Sequence, residues 1–454
     1  MIKENKRNRQ VPKNLLYTDE ALRKLIIPLV LEQLLALLVG MADTVMVSGV
    51  GEAAVSGVSL VDTVNVLVIN VFVAFGTGGA VVAGHFLGQK NPGRAGKAAW
   101  QTTMFSALTA LLVTILFVGF HDKLLRLMFG QVEERVMENA RNYLILTAIS
   151  IVPLAVYDAC AGVFRAMGDS KTTMWISLLM NGLNVVGNAF FIYGVKWGAS
   201  GAAVSTSVSR LVAAVIIFAM MFQEKRVINF KGKVSLRFEG NIIKKILYIG
   251  VPNSLESSFF QLGKILTLSM VSTYGTYSIA ANAVGNSLAA FNVLPGLAIN
   301  NAIISVISVC IGAGRTDQAR YYAQKLMRTA NLFLIGMSAI MIAGSHFIVG
   351  IFQLSPEASR LAIQILCYHA VMAVFLWIPS FSLPNVFRAA GDVFWPMAIA
   401  IFSMWVFRLG MSYVLGTVLT MGLFGIWIAM SVDWLFRAVC YKIRFQRGSW
   451  EKKI

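Results

Sequence analysis

Charge is what this chain has least of. Only 13% of its 454 residues are Asp, Glu, Lys or Arg, against about a quarter in ordinary soluble domains, while 57% are hydrophobic. That deficit excludes a water-soluble fold, because no stretch between Leu25 and Cys440 is polar enough to make a separate aqueous domain. Acids are scarcer than bases, 21 against 39, which leaves a net charge of +18. In a soluble protein such a surplus would point to nucleic acid. Here the bases cluster beside apolar runs: Lys3 to Lys24 at the N-terminus, Lys225 to Lys245 in a central loop, and Lys442 to Lys453 at the C-terminus. Placed there, they mark the cytoplasmic side of a membrane, and no nucleic-acid partner is expected.

Cysteine and histidine are equally sparse, at four residues each. Cys160, Cys310, Cys367 and Cys440 lie in or beside apolar segments, with no CxxC and no Cys/His ligand spacing, so no disulfide framework, metal site or cofactor is expected. His85, His121, His346 and His369 fall in no HExxH, and no serine falls in GxSxG. An intramembrane enzyme needs convergent nucleophile, base and acid groups, and none is expected here. The polar N-terminal segment has no short apolar core followed by a small-residue cleavage site, unlike a cleaved signal peptide.

Long apolar runs are what the chain has in abundance. A helix crosses the hydrocarbon in about 20 residues. Twelve such runs are read at 25–47, 61–87, 98–120, 142–164, 174–194, 199–221, 247–273, 284–312, 329–352, 359–387, 396–417 and 420–440. With the N-terminus inside, Lys and Arg divide 29 to 6 between the two sides when Arg360, at the edge of the tenth run, is counted with its loop, and Arg210, Lys264, Arg408 and Arg437 lie within spans. A bias of that size fits an even number of spans with both termini cytoplasmic.

The second half repeats the first at an offset of 224 residues. Pro28 pairs with Pro252, Glu32 with Glu256, Gly51 with Gly275, Gly88 with Gly312, Ala95 with Ala319 and Gly201 with Gly425. The run Phe164-Arg165-Ala166-Met167-Gly168-Asp169 recurs as Phe387-Arg388-Ala389-Ala390-Gly391-Asp392, at an offset of 223. The expected fold is therefore an all-α integral membrane protein, twelve transmembrane helices in two pseudo-symmetric six-helix lobes around a central cavity. Residues 1–24 form an N-terminal segment, 25–221 the first lobe, 222–246 a linker, 247–440 the second lobe and 441–454 a tail. Six spans per unit give both copies the same orientation, so an axis along the membrane normal relates them, and rocking one lobe on the other alternates access. In each FRAxGD turn, Gly permits the tight bend, Arg can reach carbonyls or lipid phosphates, and Asp can cap the next helix.

At these residues the chain resembles the multidrug and toxic compound extrusion (MATE) family across nearly its whole length. The carriers are Ile27-Pro28 and Asp43-Thr44 in the first span, the Gly88 and Gly312 loops, the paired FRAxGD turns, and Gly201-Ala202-Ala203 opening the sixth span. The resemblance implies a transporter in a bacterial cytoplasmic membrane. It would export small amphipathic, often cationic molecules against inward flow of Na+ or H+. With no hydrophilic insertion to bind another subunit, a monomer is expected. The family's first-lobe cation site uses an acid in the first helix, an Asn-xxx-Asp pair in the fifth and a Thr in the sixth. Asp43, Asn184 and Thr206 match it. Asn188 stands where many relatives have Asp, which leaves one negative charge. A second branch of the family uses a Glu in the seventh helix and an Asp in the tenth. The nearest positions here are Gln261 and Trp377, so coupling is expected in the first lobe.

Ionisable groups inside spans are costly unless they face a cavity or a partner. Asp43 is the leading candidate, since a carboxylate withdrawn from water can exchange a proton near neutral pH, while neighbouring oxygens suit sodium. Glu32 lies eleven residues earlier, on nearly the same helical face, so both are expected along the cavity. Asn181, Asn184 and Asn188 share one face of the fifth helix, although such amides also serve simply to join helices. In the second half Glu256, Gln261, Lys264 and Arg408 break apolar helices, and Arg408 aligns with Asn184. They and Glu32 are the substrate-cavity candidates, an internal ion-pair network being the alternative role, which Asp158 and Asp433 share. The 21 Met and 29 Phe residues suit an adaptable apolar cavity. A lipid or glycan-precursor flippase is the rival function. It would need several cavity-lining Lys and Arg for phosphates, whereas only Lys264 and Arg408 lie deep. A receptor or scaffold would leave both the repeat and the buried acids unexplained.

Overall fold

A computed structural model describes residue 12 and residues 14–130 and 133–452. Lys3, Lys6, Arg7, Arg9, Lys13 and Lys453 lie outside the described residues. Every regular element among the described residues is helical. The first six spans are Asp19–Ser48, Glu52–Gly88, Pro92–Phe129, Glu134–Ile149 continuing as Ile151–Ala166, Ser170–Gly194 and Gly198–Met220. The second six are Gly240–Ser272, Thr276–Gly312, Thr316–Ala343, Pro356–Ala389, Phe394–Val418 and Gly422–Arg447. Ten are long and apolar enough to cross a membrane on their own, and the fourth, bent by 44°, makes an eleventh. The seventh, at 33 residues, has the length but more polarity, because Glu256, Gln261 and Lys264 interrupt it. A helix lining a cavity need not be apolar all round.

Several helices overrun the apolar runs that predict them. The second begins at Glu52 and the third continues to Phe129 past a break at Phe120. The seventh begins at Gly240, which shortens the linker. Apolarity marks the hydrocarbon layer, whereas backbone hydrogen bonding carries a helix on until a cap or breaker stops it. Asn91 caps the third span by accepting from Arg94 N at 3.0 Å, with Pro92 in the first turn. Asp169 caps the fifth in the same way, accepting from Thr172 N at 3.2 Å. The linker is tied to the third span, where Trp100 Nε1 donates to Ser235 O and Gln101 Nε2 to Arg237 O, both at 2.8 Å.

The duplication is visible in three dimensions. Gly168 and Gly391 both turn at positive φ, +82° and +77°, which a side chain would resist. Neither FRAxGD arginine points to lipid. Arg165 Nη1 lies 3.3 Å from Glu32 Oε1, and Arg388 Nη2 lies 2.7 Å from Glu256 Oε2. The reach to carbonyls or lipid phosphates is thus replaced by an inward ion pair, repeated in both lobes. A carboxylate one turn past Pro28 or Pro252 sits inside a span and needs a cation. The two aspartates pair alike as well. Asp169 meets Arg226, which follows the sixth helix of the first unit, and Asp392 accepts from Arg444 Nε at 2.5 Å, in the last turn of the sixth helix of the second.

The first and last described segments of the chain lie at one end of the bundle, where Tyr17 and Tyr322 exchange hydrogen bonds of 2.9 and 2.7 Å and Arg320 pairs with Glu451. At this terminal end the lobes meet across the second and eighth spans. A Cβ on Gly88 would lie 2.2 Å from Val309 O, and one on Gly312 would lie 2.1 Å from His85 O. Val309 and His85 are themselves repeat partners, so the two contacts are one contact made twice. His85 Nε2 also lies 2.7 Å from Ala389 O. Leu22, Leu25 and Leu29 of the first span pack into a cluster with Ile303, Ile307 and Cys310 of the eighth.

Candidate cation and substrate sites

The first-lobe site is built where the first, second, fifth and sixth spans converge, in the half of the bundle away from the termini. Asn188 Nδ2 donates to Asp43 Oδ1 at 2.6 Å. Asn184, four residues earlier and on the same face, sits between Asp43 and Thr206. The amide orientation that satisfies both neighbours places its nitrogen 2.8 and 3.0 Å from the two Asp43 oxygens and its carbonyl 3.1 Å from Thr206 Oγ1. The four residues expected in a cation site are thus brought together. Asn184 and Asn188 are buried, and Asn188 Oδ1 has no hydrogen-bond partner. A buried oxygen without a donor is costly and is available to a cation.

Two charged groups that were not among the expected cation ligands, Asp62 and Arg210, complete this pocket. Asp62 of the second span lies within electrostatic range of Asp43 and accepts from Tyr143 Oη at 3.3 Å. Arg210 of the sixth span interacts with Asp43, Asp62 and Asp158 together and donates to Ser150 Oγ at 2.8 Å. Asp158 Oδ2 is buried and unpartnered. Asp43 and Asp62 thus share the Arg210 guanidinium, which Asp158 reaches from a neighbouring cavity. The signal was present in the sequence, as an acid just inside the second span and an arginine within the sixth, but only the fold places them beside Asp43.

Glu32 does not join this site. Its carboxylate accepts from Arg165 and, at 3.0 Å, from Thr173 Oγ1, and it is 7% exposed. It borders a separate cavity of about 190 Å³ at the lobe seam, beside Asp158 and Asn301. The expected Glu32 and Asp43 stripe is therefore split, because the Glu32 carboxylate is taken up by Arg165 and Thr173 while Asp43 is held by Asn188. Glu256 is held in the same manner by Arg388. Asn181 contacts Ser177 Oγ at 3.4 Å instead of Asp43.

Gln261, Lys264 and Arg408 do come together. They line a cavity of about 310 Å³ with Asn286, Trp427 and Met430, and Thr63 of the first lobe closes one side of it. Trp427 Nε1 donates to Asn282 Oδ1 at 3.2 Å, which fixes the indole as a wall. Among the described residues no group of three or more His, Cys, Asp or Glu is placed to hold a metal ion.

Compared with protein families, the chain matches MatE over residues 28–190 and 252–414, one match in each lobe. A relative named "Probable multidrug resistance protein NorM" from Thermotoga maritima is 27% identical over 437 residues, covering 95% of this chain and 92% of its own. Among solved structures, one described as "Crystal structure of MATE in the straight conformation" superposes with a TM-score of 0.89 at 22% identity, over 96% of this chain and 97% of the other. Another, "Outward-facing conformation of a multidrug resistance MATE family transporter of the MOP superfamily", gives 0.87 at 22% identity over 96% and 97%.

Proposed function

This chain belongs to the MatE family, and from that premise we propose that it is a secondary-active efflux transporter. It moves amphipathic organic molecules out across a bacterial cytoplasmic membrane by antiport with H+ or Na+. The name carried by the Thermotoga relative supports multidrug efflux. Asp43 carries the coupling assignment. It is a carboxylate held inside a span by Asn188 at 2.6 Å, with an unpartnered amide oxygen beside it.

The residues suggest how exchange would work. Asp43 supplies the charge, Asn184, Asn188 and Thr206 supply neutral oxygens, and Arg210 limits the negative charge nearby. Hard cations take such oxygen ligands, which the free Asn188 Oδ1 suits, whereas a proton needs only Asp43. Both termini, and with them the basic loops, are assigned to the cytoplasm. On that assignment the glycine seam at Gly88 and Gly312 closes the cytoplasmic side, and the opposite state requires that seam to part. The chain is taken to act as a monomer on small-molecule substrates within the bilayer.

The test is efflux from proteoliposomes of a fluorescent amphiphile panel that includes ethidium, under an imposed sodium or proton gradient, for wild type and Asp43→Asn. Gradient-driven efflux lost in the variant is expected, and the effective gradient names the ion. If neither gradient moves any probe and the variant matches wild type, the efflux reading fails and lipid or glycan-precursor flipping takes its place.

A further inference from the structure

The two copies of the repeat carry opposite charge at the same place. At the offset of 224, Asp43 corresponds to Thr267, Asp62 to Asn286, Asn184 to Arg408 and Gly40 to Lys264. All four second-lobe residues line the 310 Å³ cavity. Each carboxylate of the first-lobe pocket has thus become neutral, and a neutral amide and a glycine have become cations. No Asp or Glu lines the cavity.

The charge nearby is not neutralised. Asp433 is the carboxylate at hand, and two guanidiniums share it. Arg437 Nε donates to it at 2.8 Å, whereas Arg408 Nη1 stands 3.7 Å away. Ser403 also donates to Asp433. Arg408 is held by an aromatic face, its guanidinium 5.3 Å from the Phe260 ring centre, and its Nε is buried with no partner. Lys264 forms no ion pair or hydrogen bond among the described residues and opens onto the cavity. A lysine at membrane depth without a partner is costly and Arg408 has only a shared carboxylate, so the cavity favours a ligand that brings negative charge. Trp427 and Met430 offer that ligand an apolar wall, and Gln261 and Asn286 offer amides beside it.

We propose that Lys264 and Arg408 form an anion subsite that seats a carboxylate or similar oxyanion of the transported molecule. Its substrates are then anionic or zwitterionic amphiphiles rather than simple organic cations. This deepens the efflux reading and rests on it for the word "transported". The first lobe takes the coupling cation and the second takes the anionic group of the substrate, so the two ligands do not compete for one charge.

Binding is tested on full-length protein in nanodiscs by tryptophan-to-dansyl energy transfer, with three probes of one skeleton: dansylglycine, its neutral amide, and a dansylethyl trimethylammonium. The subsite predicts that dansylglycine binds most tightly. Lys264→Gln weakens dansylglycine about tenfold while leaving the amide unchanged, and Lys264→Arg retains the preference. The proposal is overturned if the trimethylammonium probe binds most tightly to wild type, or if Lys264→Gln shifts all three probes equally or none. Transport of the same probes is read separately in proteoliposomes. Lys264-dependent selectivity with no gradient-driven movement of any probe overturns the efflux reading alone. Gradient-driven movement with Lys264-independent binding overturns the subsite alone.

Discussion

Replacing Gly312 with alanine tests the lobe seam directly. The added Cβ would stand 2.1 Å from the backbone oxygen of His85 and 2.6 Å from its Cα. Ordinary contact begins near 3.4 Å, so the second and eighth spans must separate by about 1.3 Å. Backbone cannot swing aside as a side chain can. Overpacking of this kind costs about 1–3 kcal/mol, and since the strain exists only while the seam is closed, it multiplies the open population by roughly 5- to 150-fold. A native reporter is available. Cys310, two residues away, is fully buried in the cluster that includes Leu22 and Leu25 of the other lobe, whereas Cys160 is fully buried within the first lobe. N-ethylmaleimide labelling followed by peptide mass spectrometry should show Cys310 reacting faster by a factor in that range, with Cys160 unchanged. Gly88→Ala, whose Cβ meets Val309 O at 2.2 Å, should do the same, because the repeat makes the two contacts equivalent. Unchanged Cys310 labelling in both variants would refute the assignment of this seam as the lobe contact.

Other outcomes follow from the paired charges and from the cation pocket. Glu256→Gln strands Arg388 inside the membrane and should lower stability by about 3–5 kcal/mol, read as a large fall in melting temperature by fluorescence-detected size exclusion. Restoring neutrality with Arg388→Gln in the same chain should recover part of it. Asn188→Ala removes both the 2.6 Å donor to Asp43 and the unpartnered oxygen, so a sodium-coupled protein should need about tenfold more sodium for half-maximal transport, while a proton-coupled one should instead shift its pH profile. Arg226→Ala frees Asp169 from its partner but leaves the helix cap, and should cost less than Glu256→Gln in the same melting assay.

Much of this architecture was legible in the sequence because a membrane imposes simple rules. The offset of 224 residues located both lobes, each of which carries its own family match. Asp43, Asn184, Asn188 and Thr206 are legible as a set in the sequence and form one hydrogen-bonded chain from Asn188 through Asp43 and Asn184 to Thr206. What stayed hidden depends on where side chains turn. Arg165 and Arg388 read as surface residues of a turn, yet each folds back to an acid more than 130 residues distant in sequence. Asp62 and Arg210 join the pocket only because the second and sixth spans lie against the first and fourth. The charge inversion between the lobes could be aligned from the repeat. Its meaning emerged only once Lys264, Arg408 and Asn286 were seen around one cavity.

Antiport through Asp43 is the central claim, and counterflow tests it without any imposed ion gradient. Proteoliposomes are loaded with a transported amphiphile and a trapped proton- or sodium-sensitive dye, then diluted into amphiphile-free buffer. The account predicts that the amphiphile leaving drives one of the two cations inward, and that Asp43→Asn abolishes this inward flux. Amphiphile efflux with no cation entry, or with cations leaving alongside it, would contradict the account.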